Sequence, residues 1–283
     1  MDRQNSSGAP SLVQETPPPP YSQYLDNEEE ENEDISSARS DKVQDLSEPP
    51  SPHIVPTTSA FPTTWVLYHT LSMSQILMIG SREHGPLFAV TKHSGWWTGQ
   101  PDLVLHRGPH ASLPALAAGM GGAGIGRHSI IVLPPPPGFG QESSQELLLR
   151  VEDKDNTEWK SHVSFRFTIE VGTDPSRYRR ETFEWQHTHG ELISVFLDRA
   201  KDGWKLVRLD GDEDGDSDGP EPHERQEIVA VWAYARMSMT KVLKFRYLGN
   251  GATGAFGGRW AIMAAMTAMR MYQRQQNNRN KDW

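Results

Sequence analysis

The chain has 283 residues, with 37 acidic and 28 basic side chains, no cysteine and a formal charge of −9. The absence of cysteine excludes disulfides, thiolate metal sites and cysteine nucleophiles. Residues 1–60 hold twelve acids and three bases, which accounts for the whole net charge, so the rest is neutral and lacks the basic footprint of a nucleic-acid binder.

Residues 1–58 are rich in Pro, Ser, Glu and Asp and poor in large apolar side chains. Such a segment buries too little surface to offset the entropy of ordering, and the composition predicts a disordered acidic arm. Met1 to Gly8 lack the apolar core of a signal peptide, and no run reaches the roughly 20 apolar residues of a membrane span. A cytoplasmic or nuclear setting is expected, peripheral at membranes if the ligand is a lipid. The texture changes at Thr64, and the expected organisation is an arm over 1–58, one domain over 59–276 and a polar tail over 277–283.

Strands are expected at Trp65–Leu71, Gln75–Ile79, Leu87–Lys92, Asp102–His106, Ser129–Leu133, Glu146–Glu152 and Ser161–Val171. Further strands are expected at Glu181–Thr188, Ile193–Arg199, Trp204–Leu209, Glu227–Ala235 and Leu243–Leu248. From Val163 to Val171 the apolar residues fall on odd numbers, which gives one buried and one wet face. Ala200 to Gly203 reads as a hairpin turn on its Asp-Gly pair. Pro109–Arg127 and Pro134–Ser144, rich in Gly, Ala and Pro, read as loops.

The last element differs from all of these. Trp260-Ala261-Ile262-Met263-Ala264-Ala265-Met266-Thr267-Ala268-Met269 carries apolar residues on every helical face, interrupted only by Thr267 and then Arg270. A helix with no polar face is buried on all sides. Twelve tilted strands close into a cylinder roughly 24 Å across, wide enough for a helix of about 10–12 Å. Glycines 249, 251, 254, 257 and 258 let the chain turn from wall to lumen. The expected fold is all-β with one buried helix: a closed antiparallel barrel of about 12 strands around a C-terminal helix spanning about Gly258 to Gln273.

Phe183-Glu184-Trp185-Gln186-His187-Thr188-His189-Gly190, Lys244-Phe245-Arg246-Tyr247-Leu248-Gly249 and Arg259-Trp260-Ala261-Ile262-Met263-Ala264 through Met271 together resemble the tubby C-terminal-like superfamily. That superfamily includes LURP-one-related proteins and phospholipid scramblases, and the likeness is nearest to its fungal members. These motifs describe strands and packing, so the resemblance implies mainly a fold: about twelve strands around a central helix. It also implies a lipid-headgroup role for basic residues outside the barrel.

Pro18-Pro19-Pro20-Tyr21 is the sharpest functional signal. A PPxY peptide forms a polyproline II helix that docks on the aromatic groove of a WW domain, with Pro18, Pro19 and Tyr21 as contacts. Arg177, Arg179 and Arg180 form a compact basic cluster; with Lys241, Lys244 and Arg246 they are candidates for an anionic-lipid site. Asp210, Asp212, Asp214 and Glu221 satisfy the spacing of a calcium loop. A strand precedes them where a helix is required, so an acidic solvated loop is the better reading, with no metal expected.

Gly119 to Gly124 match a dinucleotide fingerprint as bare text, but no helix follows, and a loop is expected. His187 and His189 share a strand face with no third ligand in sight. No Ser-His-Asp set or phosphate loop is present, and no cofactor is expected. The chain thus reads as a monomeric, non-catalytic binding or scaffold protein with a WW-type partner. A lipid binder is the alternative, and a scramblase-like or enzymatic activity the weakest reading.

Overall fold

The structure, a computed structural model, describes residues 61–70, 76–81, 85–93, 100–121, 128–136, 142–152, 163–197, 200–209, 226–235 and 238–279. The chain divides into Met1–Ser47 and Glu48–Trp283, and every described residue lies in the second unit. Pro18, Pro19 and Tyr21, the acidic run from Asp210 to Glu221, and the end of the polar tail lie outside the described residues.

Twelve strands form the wall. They are β1 (Thr64–His69), β2 (Ile76–Ser81), β3 (Gly85–Lys92), β4 (Leu103–His106), β5 (Ala115–Gly121), β6 (His128–Leu133), β7 (Ser144–Glu152), β8 (Val163–Val171), β9 (Arg179–His189), β10 (Asp202–Leu209), β11 (Ile228–Tyr234) and β12 (Lys241–Tyr247). Each pairs with the next in sequence, and β12 pairs antiparallel with β1, so the barrel closes with no free edge. The alternation expected in β8 is present: Phe165, Phe167, Ile169 and Val171 are buried, and Arg166 between them is exposed.

The lumen is filled by α3 (Gly257–Arg279). Its 23 residues extend about 35 Å at the α-helical rise, longer than the expected segment. Trp260, Ile262, Met263, Ala264, Ala265, Met266, Ala268, Met269 and Met271 are 0–1% exposed, on every face of the helix. Trp260 packs on Phe183 of β9 and Tyr247 of β12, while Arg259 reaches Glu146 of β7 and Arg270 reaches Ser129 of β6. Contacts in so many directions place the helix inside the wall.

The turn into the lumen runs through α2 (Gly249–Thr253) and depends on glycine at two places. Gly257 has φ +84°, and a Cβ there would stand 2.3 Å from the carbonyl oxygen of Gly172. A Cβ on Gly251 would stand 2.3 Å from the carbonyl oxygen of Val229.

Three expectations are corrected. Ala115–Gly121, inside the expected loop Pro109–Arg127, is strand β5. Ile193–Arg199, expected as a strand, falls largely in α1 (Glu191–Phe196), which lies on the outer wall with Ile193 and Leu197 packed against Val231 and Ala233. The twelve-strand count thus holds because one missed strand replaces one that does not exist. The Asp202-Gly203 pair is not a turn but the start of β10, facing His189 and Thr188 of β9. Gly203 is needed for close approach: a Cβ would stand 2.5 Å from the carbonyl oxygen of Trp232.

Candidate functional site

With the lumen occupied, the polar chemistry of the barrel collects at its two mouths. At the entry mouth, where α3 begins, Arg259 is buried among acceptors. Its Nη2 donates to Glu146 Oε1 at 2.9 Å and its Nε to the carbonyl of Pro134 at 3.2 Å; it also bonds Glu170 and Ser144. Arg180 of β9 donates to the other oxygen of Glu146 at 2.9 Å and pairs with Glu170. Two arginines thus share two glutamates, and the four side chains clasp the start of α3 to β7, β8 and β9.

Electrostatics fit that arrangement. Burial pushes the Glu170 carboxyl up, but its own backbone hydrogen bond and the guanidiniums of Arg259 and Arg180 outweigh it and hold the pKa below its ordinary value. Beside them, Glu181 Oε1 accepts from Arg208 at 2.9 Å and from Arg179, and Glu227 takes a further nitrogen of Arg208 at 3.4 Å. Pro136, Gly172, Tyr178 and Phe256 surround Arg259 and Glu170 in a shallow hollow. Charge here is locally balanced, which suits a structural fastening better than a binding site.

The exit mouth is different. Arg270 is buried and spends all its nitrogens within the protein: Nη2 on Asp102 Oδ2 at 2.6 Å, Nε on Ser129 Oγ at 3.2 Å and Nη1 on Gln273 Oε1 at 2.6 Å. Asp102 Oδ2 also accepts the backbone N–H of Gly121 at 3.0 Å. One turn later on the same helical face, Arg274 is half-buried and its Nη1 reaches the same Ser129 hydroxyl at 3.4 Å.

Arg150, at the same end of β7, is paired with Glu152 at 3.2 Å. Burial lowers the Arg274 pKa, and the charges of Arg270 and Arg150 lower it further. Arg270 and Arg150 each hold a carboxylate, Asp102 and Glu152, and Arg274 between those charges has no carboxylate partner among the described residues. Among the described residues, these three guanidiniums outnumber the two carboxylates paired with them.

The six basic residues expected to form one lipid site are not brought together. Arg177 and Arg179 stand at the entry end, near Arg180, and pair with Asp174 (4.0 Å) and Glu181. Lys241 begins β12 and therefore lies at the exit end. Lys244 and Arg246 face outward over α1: Lys244 Nζ donates to the carbonyl of Leu197 at 3.3 Å, and the Arg246 guanidinium lies 5.5 Å from the centre of the Phe196 ring. These two cations cap and cover a helix.

His187 and His189 do share a face, with ring centres 4.5 Å apart, and His187 stands edge-on to Trp204 at 5.2 Å. Among the described residues, no three His, Cys, Asp or Glu side chains converge as metal ligands. Nor is any helix among them long and apolar enough to cross a membrane.

No family model, curated protein or solved structure matches this chain.

Sequence reasoning noted Arg270 only as an interruption of the apolar helix and passed over Ser129, Arg150 and Arg274. Their meeting depends on strand register, which the sequence does not carry. One signal was available: Arg270 and Arg274, four apart at the end of an otherwise apolar helix, require a polar environment where that helix leaves the core.

Proposed function

We propose that this chain is a non-catalytic binding scaffold, in which a closed, filled barrel carries an N-terminal PPxY motif for a WW-type protein partner. The observation that carries the reading is the occupied lumen. Trp185 of β9 donates to Thr267 of α3 at 2.9 Å, and the helix residues around Thr267 are fully buried, so the interior is committed to packing. A barrel filled in this way offers its outer wall, its mouths and its attached segments for recognition.

Among those segments, Pro18-Pro19-Pro20-Tyr21 matches a defined docking chemistry: PPxY peptides bind as a polyproline II helix, which loses little entropy on docking, with one aromatic anchor. The barrel-around-a-helix plan is also the one that the tubby-like resemblance implies. The lipid reading of the resemblance draws no support from the six basic residues, which are spread over both ends and the outer wall.

Titrating the full chain into a panel of WW domains tests the proposal. Binding in roughly the micromolar range is expected, because one short motif supplies a small contact. Tyr21→Ala should abolish it, while Pro20→Ala, at the variable place, should leave it within about twofold. Equal affinity of Tyr21→Ala and the native chain would overturn the proposal.

A further inference from the structure

We propose that the exit mouth of the barrel binds a phosphomonoester group, held by Arg274 and Arg150 against the fixed charge of Arg270. This site is separate from the PPxY motif and stands or falls independently of it.

The first part of the argument is hydrogen-bond capacity. A guanidinium has five N–H donors. Arg270 directs its nitrogens to Asp102, Ser129 and Gln273 and acts as a buried fixed charge. Arg274 places one nitrogen at 3.4 Å from Ser129, a long bond to a neutral oxygen already accepting from Arg270. Its remaining donors meet no acceptor among the described residues, on a side chain that is only half-exposed.

The second part is geometry. Arg270 Nε and Arg274 Nη1 bond the same hydroxyl oxygen, so these two nitrogens lie no further apart than the combined length of the two bonds. Such close like charges are held there by packing. On β5, Gly119 and Gly121 lie beside Arg270. A Cβ on Gly119 would stand 3.8 Å from Arg270 Cδ, and one on Gly121 would stand 3.5 Å from its Nη2. Arg150, 39% exposed, provides the outer side of the mouth, and its bond to a 46% exposed Glu152 can be exchanged with solvent or ligand at little cost.

The third part is charge. Among the described residues, three arginines against Asp102 and Glu152 leave an excess of one cation, and a ligand that displaces Glu152 from Arg150 meets two. A phosphomonoester carries nearly two negative charges near neutral pH and three strong acceptor oxygens, which match two guanidinium forks. A carboxylate brings one charge and two acceptor oxygens, and so leaves one of the two cations unneutralised.

The test uses the full chain. Inorganic phosphate and phenyl phosphate are titrated by calorimetry at constant ionic strength, with chloride as the reference anion, and thermal melting is followed in parallel. Saturable binding of both phosphates is expected, with a rise in melting temperature that chloride does not give. Arg274→Gln should weaken binding about tenfold or more, since it removes charged hydrogen bonds. Arg177→Gln, an exposed cation at the entry end, should leave binding unchanged.

If Arg274→Gln fails to fold, Arg150→Gln, at an exposed position, should show the same loss. Flotation with phosphatidic acid vesicles, using phosphatidylserine as a diester control, identifies the source. Binding to phosphatidic acid without a soluble-phosphate response assigns a lipid headgroup; the reverse assigns a soluble phosphate ester. A response to neither, or equal binding by the native chain and Arg274→Gln or Arg150→Gln, overturns the site.

Discussion

The indole N–H of Trp185 on β9 donates to the hydroxyl of Thr267 at the centre of α3, 2.9 Å away, and ties the wall to the helix it encloses. Thr267 also donates to the carbonyl of Ala264, so its hydroxyl both accepts and donates at a fully buried position. The one polar residue between Trp260 and Met269 is thus the partner of a tryptophan on the wall. Thr267→Val keeps the shape and leaves a buried N–H unpaired, which costs about 1–3 kcal/mol. Thr267→Ser keeps the bond and should cost less. Urea unfolding midpoints of the two variants check the order.

Enclosure of α3 predicts the effect of a charge at its middle. Met266 is 0% exposed, and Met266→Asp places a carboxylate with no counter-ion among Ala, Met and Trp side chains. Burying an unpaired ion is comparable with the whole stability margin of about 5–15 kcal/mol, so the variant should not fold. Loss of cooperative melting and of near-ultraviolet circular dichroism is the expected outcome. A variant that melts cooperatively at the native temperature would place the helix outside the wall.

Two glycines in the turn should respond differently to alanine. Gly254 has φ +79° but nothing within 4 Å of a new Cβ, so Gly254→Ala costs only backbone strain, about 1 kcal/mol. Gly257 combines φ +84° with a carbonyl 2.3 Å from the new Cβ, and Gly257→Ala must also move the chain at Gly172. Its melting temperature should fall well below that of Gly254→Ala.

The clasp at the entry mouth gives an acid dependence with a definite sign. Burial opposes the charged form of Glu170, but its backbone hydrogen bond, Arg259 and Arg180 prevail, so its folded pKa lies below its ordinary 4.5. A carboxylate with a depressed folded pKa contributes stability that is fully present above the unfolded value and lost as pH falls through the folded one. Glu170→Gln should therefore be less stable than the native chain at pH 7. The gap should close as pH falls below about 4.5, the range in which an unfolded glutamate takes up its proton. Parallel melting curves from pH 3 to pH 7 test this, and a gap that does not change with pH would show that the clasp acts through packing alone.

Much of this fold was legible in the sequence because each signal was local. The absence of a polar face from Trp260 to Met269 was enough to bury α3, and the odd-numbered apolar residues of β8 were enough to orient it. What failed had a tertiary cause. Ala115–Gly121 reads as a loop because most of its residues are small, yet Gly119 faces α3 so closely that a Cβ there would already touch Met266 Cε at 3.6 Å. Ile193–Arg199 reads as a strand because a short apolar run has no period to distinguish it, whereas Glu191–Phe196 is a helix packed on β10 and β11. The arginine mouth was invisible for the related reason that its members come from β6, β7 and the end of α3, which meet only through register.

Hydrogen–deuterium exchange of the α3 backbone tests the filled barrel most directly. The account predicts that amides from Trp260 to Tyr272 exchange only through global unfolding, at the rate of the slowest strands and with the same denaturant dependence. Exchange of that segment within minutes under native conditions, while the strand amides stay protected, would contradict it and return the lumen to other occupants.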